Sequence, residues 1–308
     1  MAITAATVTG DFSGFLSPDQ SGAIFERAAR QSVAQQLARQ IPLGYNGQEI
    51  PVVTSKPTAG WVAEGGTKPG TKGAMSLKTM TPKKLAAIAV VSAEVVRANP
   101  GNYVNLLRDE IAEAFAIAFD LAAFHGTSTP FTTYLDQTAR TAIELGTATQ
   151  ANGGVFADLN NGLKALVNAG KRLTGFALDM VAEPVLNAAT DTTGRPLFID
   201  SPTVETAGPV RAGRLLGRPA FMGEGISTAV VTGTPNTGGV VGYGGDWSQA
   251  AWGVVGGITY DVSTEATVTI NGALTSLWEK NLVAIRAEAE YGWLVNDVDA
   301  FQPFTNHD

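Results

Sequence analysis

The feature that most constrains the fold is a long polar segment that separates apolar, extended stretches. Residues 50–53 and 61–64, which read IPVV and WVAE, precede residues 65–84, a segment rich in glycine, threonine, lysine and proline. The apolar run 85–96 follows it. Extended stretches around a polar tip predict a long β-hairpin whose return strand is 85–96. The tip carries lysines at positions 68, 72, 78, 83 and 84.

This predicted hairpin has too few apolar residues at its tip to bury itself. A two-stranded hairpin that is isolated in water is marginally stable. We therefore expect the hairpin, residues 45–96, to protrude from the subunit and to dock onto another copy of the chain.

The composition excludes several kinds of site. There is no cysteine, so disulfides, thiolate metal sites and cysteine nucleophiles are excluded, and with two histidines a histidine-rich metal site is not expected. The net charge of −7 and the lack of a basic run argue against a sequence-reading nucleic-acid-binding protein. We predict no cofactor, no metal and, without an apolar run of about 18 residues, no membrane partner.

A helix is predicted near the N-terminus, after the small and polar residues 1–16. Ser17 and Pro18 are typical of the N-cap and the first position of a helix. Apolar residues then recur at roughly helical spacing as far as Ile41. The apolar stripe is narrow, so we expect residues 1–41 to lie outside the core of their own subunit and to form an interface.

The clearest helical pattern covers residues 102–125. Ile111 and Phe115 lie on one apolar stripe, and Gly126 follows as a stop signal. We expect Phe115 to be buried. His125 is expected to interact with the C-terminus of this helix, where a partial positive charge suits the helix dipole.

The second half of the chain alternates between short helical and short extended patterns. Asp158 is expected to start a helix that runs to Gly170, and glycine-rich turns separate short strands up to residue 257. Residues 258–304 contain two further extended stretches. These patterns predict a mixed α+β protein.

No ordinary active site is visible in the sequence. GYGGD at 242–246 lacks the lysine and hydroxyl residue of a phosphate-binding loop. Ser92, Ser128 and Ser248 lack the G-x-S-x-G context of a serine hydrolase. Glu288 and Glu290 share a strand face, as solvated carboxylates commonly do. A soluble α/β enzyme or a carbohydrate-binding module stays as the rival class, without a catalytic cluster to support it.

Several short motifs, in this order, resemble segments of the major capsid protein family of tailed bacteriophages, whose shell-forming fold is shared with encapsulins. They are WVAEGGTKP at 61–69, AFDLAAFHG at 118–126, DTTGRPLF at 191–198, LLGRPAF at 215–221 and NLVAIRAEAEYG at 281–292. Each motif is loose, and their order and spacing carry the resemblance over most of the chain.

The resemblance implies the architecture of the phage capsid fold. Residues 1–44 would be an N-terminal arm and helix, and 45–96 the extended β-hairpin loop. Residues 97–130 together with 258–308 would form a peripheral domain around the long helix, which acts as its spine. Residues 131–257 would form an axial α/β domain.

The resemblance also implies a function. The chain would be a structural subunit of an icosahedral shell, not an enzyme, and would assemble as hexamers and pentamers around double-stranded DNA bound without sequence specificity. Portal and decoration proteins would be partners. The short stretch before the first helix implies either a mature product or a separate scaffold, and the initial Met favours the scaffold. Assembly in the host cytoplasm would lead to the virion. An encapsulin-like compartment is the alternative, and the long loop favours the phage shell.

Some members of this family join their subunits covalently, and the resemblance implies candidates for that reaction here. A loop lysine of one subunit attacks an asparagine of a second, and a glutamate of a third moves the protons. Lys68 precedes Pro69 as the family's lysine does, and Asn281 lies seven residues before Glu288. The plainer alternative is a solvated Lys68, an Asn281 that caps a strand and a Glu288 that pairs with an arginine.

Overall fold

The computed structural model describes residues 32–68, 70–94, 103–126, 128–149, 152–189, 198–200, 210–228 and 239–306. Most of the predicted N-terminal helix and most of the DTTGRPLF motif lie outside these ranges.

The described residues contain four α-helices and fifteen strands. Helices α1 to α4 are Val33–Leu37, Tyr103–Phe124, Gly154–Asn168 and Glu183–Ala188. Strands β1 to β7 are Arg39–Gln40, Gln48–Ser55, Ala74–Met80, Lys83–Ser92, Ile143–Leu145, Gly175–Asp179 and Ile199–Asp200. Strands β8 to β15 are Arg211–Leu215, Arg218–Gly223, Val240–Gly245, Ala250–Ser263, Thr267–Ile270, Ala273–Ser276, Leu282–Val295 and Phe301–Asn306.

Two large sheets organise these strands. A four-stranded sheet has the order β1-β11-β14-β4, and a seven-stranded sheet has the order β5-β15-β10-β6-β9-β8-β7. Strands β2 and β3 form a separate two-stranded sheet, as do β12 and β13. This mixture of helices with mainly antiparallel sheets confirms the predicted α+β class.

The long helix is confirmed, because α2 covers nearly all of the predicted residues 102–125. Phe115 is buried, as predicted. One turn later, Phe119 lies among aromatic side chains of the four-stranded sheet and the loop after α2, with ring centroids 5.3 Å from Tyr291 and 5.9 Å from both Trp293 and Phe131. Helix α2 therefore covers one face of the four-stranded sheet.

The aromatic packing around Phe119 gives a stability prediction. Phe119→Leu keeps an apolar side chain but loses the ring contacts, so we expect the free energy of unfolding to fall by about 1–2 kcal/mol. Chemical denaturation of the unassembled subunit would measure it. Phe156→Leu, at a position that is 47% exposed on α3, should change the value by less than about 0.5 kcal/mol. Equal losses in both variants would contradict a central role for Phe119.

The expectation that residues 1–41 lie outside the core is wrong for the described part of that segment. Helix α1 is only five residues long, and strand β1 follows it before Ile41. Val33 and Ala34 are fully buried in the same cluster as α2. A carboxylate on α2 fixes this end: Asp120 accepts hydrogen bonds from Ser32 Oγ (2.6 Å) and from the backbone N–H groups of Val33 (2.8 Å) and Ala34 (3.1 Å).

The predicted pairing of the hairpin is also wrong. Strand β2 pairs with β3, which lies inside the segment 65–84 that the sequence analysis assigned to the tip. The predicted return strand, β4, pairs instead with β14 over ten residue pairs, from Leu282↔Ser92 to Tyr291↔Lys83. The partner strand of β4 lies about 200 positions further along the chain. A local sequence pattern cannot reveal a pairing at that separation.

Asp158 does not start a helix. Helix α3 begins at Gly154, and Asp158 is buried within its second turn. Its carboxylate accepts hydrogen bonds from the backbone N–H groups of Gly146 (2.8 Å) and Ala148 (3.4 Å), and so holds the loop after β5 against α3. The residue stabilises a turn elsewhere in the chain rather than its own helix end.

The two large sheets draw on both halves of the chain. Strand β11 runs across the predicted boundary between residues 257 and 258 and lies in the four-stranded sheet. Strand β15, near the C-terminus, returns to the seven-stranded sheet and lies between β5 and β10.

Candidate assembly surfaces and cross-link site

The base of the β2–β3 hairpin is anchored on the four-stranded sheet. Gly253 and Gly292 lie opposite each other on β11 and β14, and a Cβ atom at either position would come within 3.0 Å of both Met80 and Leu43. Glycine is required at this pair because the two side chains occupy the space above it. Lys78, predicted as a tip lysine, instead donates a hydrogen bond to the carbonyl oxygen of Asn296 at 2.6 Å.

Beyond this base, one face of the hairpin is apolar and exposed. Pro51 pairs with Leu77, and Val53 pairs with Met75. Because side chains two positions apart on a strand share a face, these four lie together on one side of the two-stranded sheet. Val53, Met75 and Leu77 are 55%, 68% and 63% exposed. A contiguous apolar surface of this kind is typical of a protein–protein contact.

The hairpin tip lies between β2 and β3. Trp61 is fully exposed there, and Lys68 is exposed too. Pro69, which follows Lys68, lies outside the described residues. The structure therefore puts the candidate lysine on a projecting surface, at the end of the hairpin that is farthest from its anchor.

Asn281 lies in the turn that precedes β14. Its backbone has φ of 53°, a left-handed conformation that asparagine adopts more readily than most residues. The backbone N–H of Ala93 donates a hydrogen bond to the Asn281 carbonyl at 2.9 Å, and the Asn281 Nδ2 donates one to Glu94 Oε1 at 2.7 Å. The Asn281 carboxamide is thus held by its own chain. Because Asn281 is exposed, the carboxamide is also accessible to a second copy of the chain.

Glu288 lies in the middle of β14. Its carboxylate pairs with Lys84 at 3.3 Å and with Arg286 at 3.5 Å. Asn281 lies seven residues earlier, about 23 Å away at 3.3 Å per residue of extended chain. The Asn281 and Glu288 side chains of one chain therefore cannot meet.

A partly buried polar cluster surrounds His125, and it corrects the expected interaction with the end of α2. The His125 Nδ1 lies 2.7 Å from Asp136 Oδ2, and Nε2 lies 2.7 Å from the carbonyl oxygen of Ile226. Tyr243 donates its hydroxyl proton to the other oxygen of Asp136, and burial raises the pKa of Tyr243 well above its usual value. The carbonyl can only accept, so Nε2 carries a proton. The cluster joins α2 to the seven-stranded sheet.

A pocket near these elements is apolar. It has a volume of about 250 Å³ and lies between the end of α2 and the start of β4, with Leu85, Leu121 and Phe131 in its wall. Lys83, Lys84 and Tyr291 also line it, and burial raises the pKa of Tyr291. This lining offers no carboxylate, histidine or serine–base pair for catalysis.

No group of three or more His, Cys, Asp or Glu side chains among the described residues could hold a metal ion. None of the helices in the described ranges is long and apolar enough to cross a membrane.

Comparisons with known proteins identify the family. The model of the phage capsid family matches residues 13–306. The probable major capsid proteins gp17 of Mycobacterium phages D29 and L5 are each 45% identical to this chain, over 97% of it and 92% of their own length. A solved structure from Mycobacterium phage Adephagia has the same fold, with a TM-score of 0.68 at 18% identity over 90% of each chain.

These matches cover nearly the whole chain. They do not favour the encapsulin-like alternative, and they replace the rival class of soluble enzyme or carbohydrate-binding module. The chain belongs to the phage capsid family, as a structural shell subunit, and hence a virion component, of a tailed bacteriophage.

Proposed function

We propose that this subunit assembles into hexamers and pentamers of an icosahedral shell that encloses double-stranded DNA. The observation that carries the proposal is the exposed apolar face of the hairpin, formed by Pro51, Val53, Met75 and Leu77. A second copy of the chain is the partner that a shell subunit meets on every side. Docking would remove this face from water and would stabilise a hairpin that has packing only at its base.

The other proposed partners follow from the role of a shell. Packaged DNA would be held without sequence specificity, since a chain with a net charge of −7 offers no dense basic surface for reading bases. A portal, a separate scaffold and decoration proteins would complete the particle. The arm, the loop, the peripheral domain and the axial domain, with boundaries after residues 44, 96, 130 and 257, would each contribute to these contacts.

We also propose that assembled subunits become covalently linked through Lys68, Asn281 and Glu288. The separation of about 23 Å between Asn281 and Glu288 requires these side chains to come from different copies. A junction that buries Lys68 would favour the neutral amine, which is the nucleophile. Its Nζ would attack Asn281 Cγ, Glu288 of a third copy would carry the proton from Nζ to Nδ2, and ammonia would leave. This would be a single self-modification and not enzymatic turnover.

The shell proposal is tested by blocking the hairpin face. Burying a leucine or methionine side chain contributes about 1.5–3 kcal/mol, so Met75→Asp with Leu77→Asp should raise the concentration needed for assembly by at least about tenfold. Electron microscopy and sedimentation of the purified full chain would measure the fraction in closed shells.

Ser76→Asp supplies the matched control, because Ser76 is exposed on the opposite face of the same strand. It adds a charge at the same place without touching the apolar side chains, so shells should form normally. If the double variant assembled as readily as the Ser76→Asp variant, the hairpin face would not be a subunit contact.

A further inference from the structure

The contact between Asn281 and Glu94 goes beyond the three residues of the proposed cross-link. Glu94 lies two residues after the end of β4, where Ser92 pairs with Leu282 at the start of β14. One carboxylate oxygen of Glu94 accepts from Asn281 Nδ2 at 2.7 Å, and the other accepts from Ser92 Oγ at 3.1 Å. The strand pairing thus brings a carboxylate onto the carboxamide that would react.

This contact fixes which way the carboxamide points. An asparagine side chain can rotate so that oxygen and nitrogen exchange places, and both orientations are open to an exposed residue. An ionised carboxylate can only accept hydrogen bonds, so Nδ2 must face Glu94 and Oδ1 must face away. The backbone of Asn281 is held too, because it has a left-handed conformation and its carbonyl oxygen accepts a hydrogen bond from the backbone N–H of Ala93.

We infer that Glu94 is a positioning residue for the covalent joining of subunits, and that it holds the Asn281 carboxamide with its leaving nitrogen inward and its carbonyl carbon open to the arriving lysine. The inference rests on the proposed cross-link. In that step the Lys68 Nζ–Asn281 Cγ bond forms, the Cγ–Nδ2 bond breaks, and Nδ2 departs as ammonia with the proton that Nζ gives up. Glu94 takes no part in the proton balance, which stays with Glu288.

The positions of Glu94 and Glu288 give the two carboxylates different roles in the proposed reaction. Glu94 reaches Asn281 within its own chain, before any neighbour arrives. Glu288 is already paired with Lys84 and Arg286, about 23 Å from Asn281 along the strand direction, and can serve only the asparagine of another copy. The carboxamide would therefore be oriented in the free subunit and need only the lysine and the proton carrier on assembly.

The test compares Glu94→Ala with the wild-type chain in assembled shells. The rate of cross-linking in the shells should fall by about 10–100-fold, since a small misplacement of a reacting group can cost about 10²-fold. Covalent ladders in samples boiled in detergent at successive times would measure this rate. The fall should be the same at every pH at which Glu94 is ionised, because Glu94 does not carry the proton. Electron microscopy should show that the shells of the variant still form.

Two further variants separate positioning from charge and from simple damage. Glu94→Gln can accept from Nδ2 or donate to Oδ1, so about half of the carboxamides should keep the productive orientation and the rate should fall by only about twofold. Glu279→Ala removes a carboxylate from the same turn, two residues before Asn281, without touching the carboxamide, and should retain the wild-type rate. A Glu94→Gln variant as slow as Glu94→Ala would overturn positioning in favour of a role for the charge.

The outcomes also distinguish the inference from the proposal beneath it. If wild-type shells show ladders and Glu94→Ala shells show them at the same rate, the role of Glu94 is wrong and the cross-link stands. If wild-type shells show no ladder at all, the cross-link itself is wrong and the role of Glu94 falls with it.

Discussion

Replacing Asp120 with alanine is expected to lower the free energy of unfolding of the subunit by about 4–6 kcal/mol, since three buried donors lose their acceptor at about 1–3 kcal/mol each. The donors are Ser32 Oγ and the N–H groups of Val33 and Ala34, which are fully buried. Denaturant unfolding of the unassembled full chain would measure the loss. Glu110→Ala, at an exposed carboxylate on the same helix, should change it by less than about 0.5 kcal/mol.

The same residue predicts a pH dependence. Burial raises the pKa of Asp120 from 3.8 to about 7, against the opposing effect of its three hydrogen bonds. The folded chain then binds this proton more tightly than the unfolded chain, so the contribution to stability is full below pH 3.8 and is lost as the pH rises through about 7. The slope from this group is at most about 1.4 kcal/mol per pH unit.

Asp120→Asn isolates that slope, because it keeps one oxygen acceptor and removes the titrating group. The difference in unfolding free energy between wild type and variant should change steadily between about pH 4 and pH 7 and then level off. A difference that stays constant over this range would mean that Asp120 does not titrate there. The larger loss in Asp120→Ala would still report on the hydrogen bonds.

The long helix could be predicted from sequence because its signals are local. An apolar stripe through Phe115 and a glycine stop at Gly126 describe α2 without reference to the rest of the chain. The hairpin shows the opposite case. Met75 and Leu77 alternate with polar residues inside the supposed tip, which is the pattern of the half-exposed strand β3, but the surrounding lysines and glycines obscured it.

The candidate site also contains some residues that the sequence suggests and others that only the structure reveals. Lys68, Asn281 and Glu288 came from a resemblance in short motifs, and their chemistry depends on contacts between copies. Glu94 and Asp120 carry no local signal, since each gains its role from a partner that is at least 86 positions away. Only the register of β4 with β14, and the packing of α1 on α2, bring those partners together.

Lys68→Arg is expected to abolish covalent joining of the subunits while shells still assemble. The guanidinium keeps the positive charge at the hairpin tip, but it stays protonated and cannot act as the nucleophile. Wild-type shells should give ladders that survive boiling in detergent, and mass spectrometry should find a branched peptide that joins the Lys68 and Asn281 fragments with the loss of one ammonia. The Lys68→Arg shells should run as a single monomer band.

Neighbouring lysines and the proposed proton carrier make this prediction specific. Lys72→Arg alters another exposed tip lysine and should leave the ladders intact, which would rule out a nonspecific effect of the substitution. Glu288→Gln should slow the ladders by about 10²–10⁴-fold, the usual contribution of a general base, and should do so without changing the site of the bond. If Lys68→Arg shells kept their ladders, another lysine would be the nucleophile. If denatured wild-type shells gave only a monomer band on the gel, Lys68, Asn281 and Glu288 would hold subunits together by charge and hydrogen bonds alone.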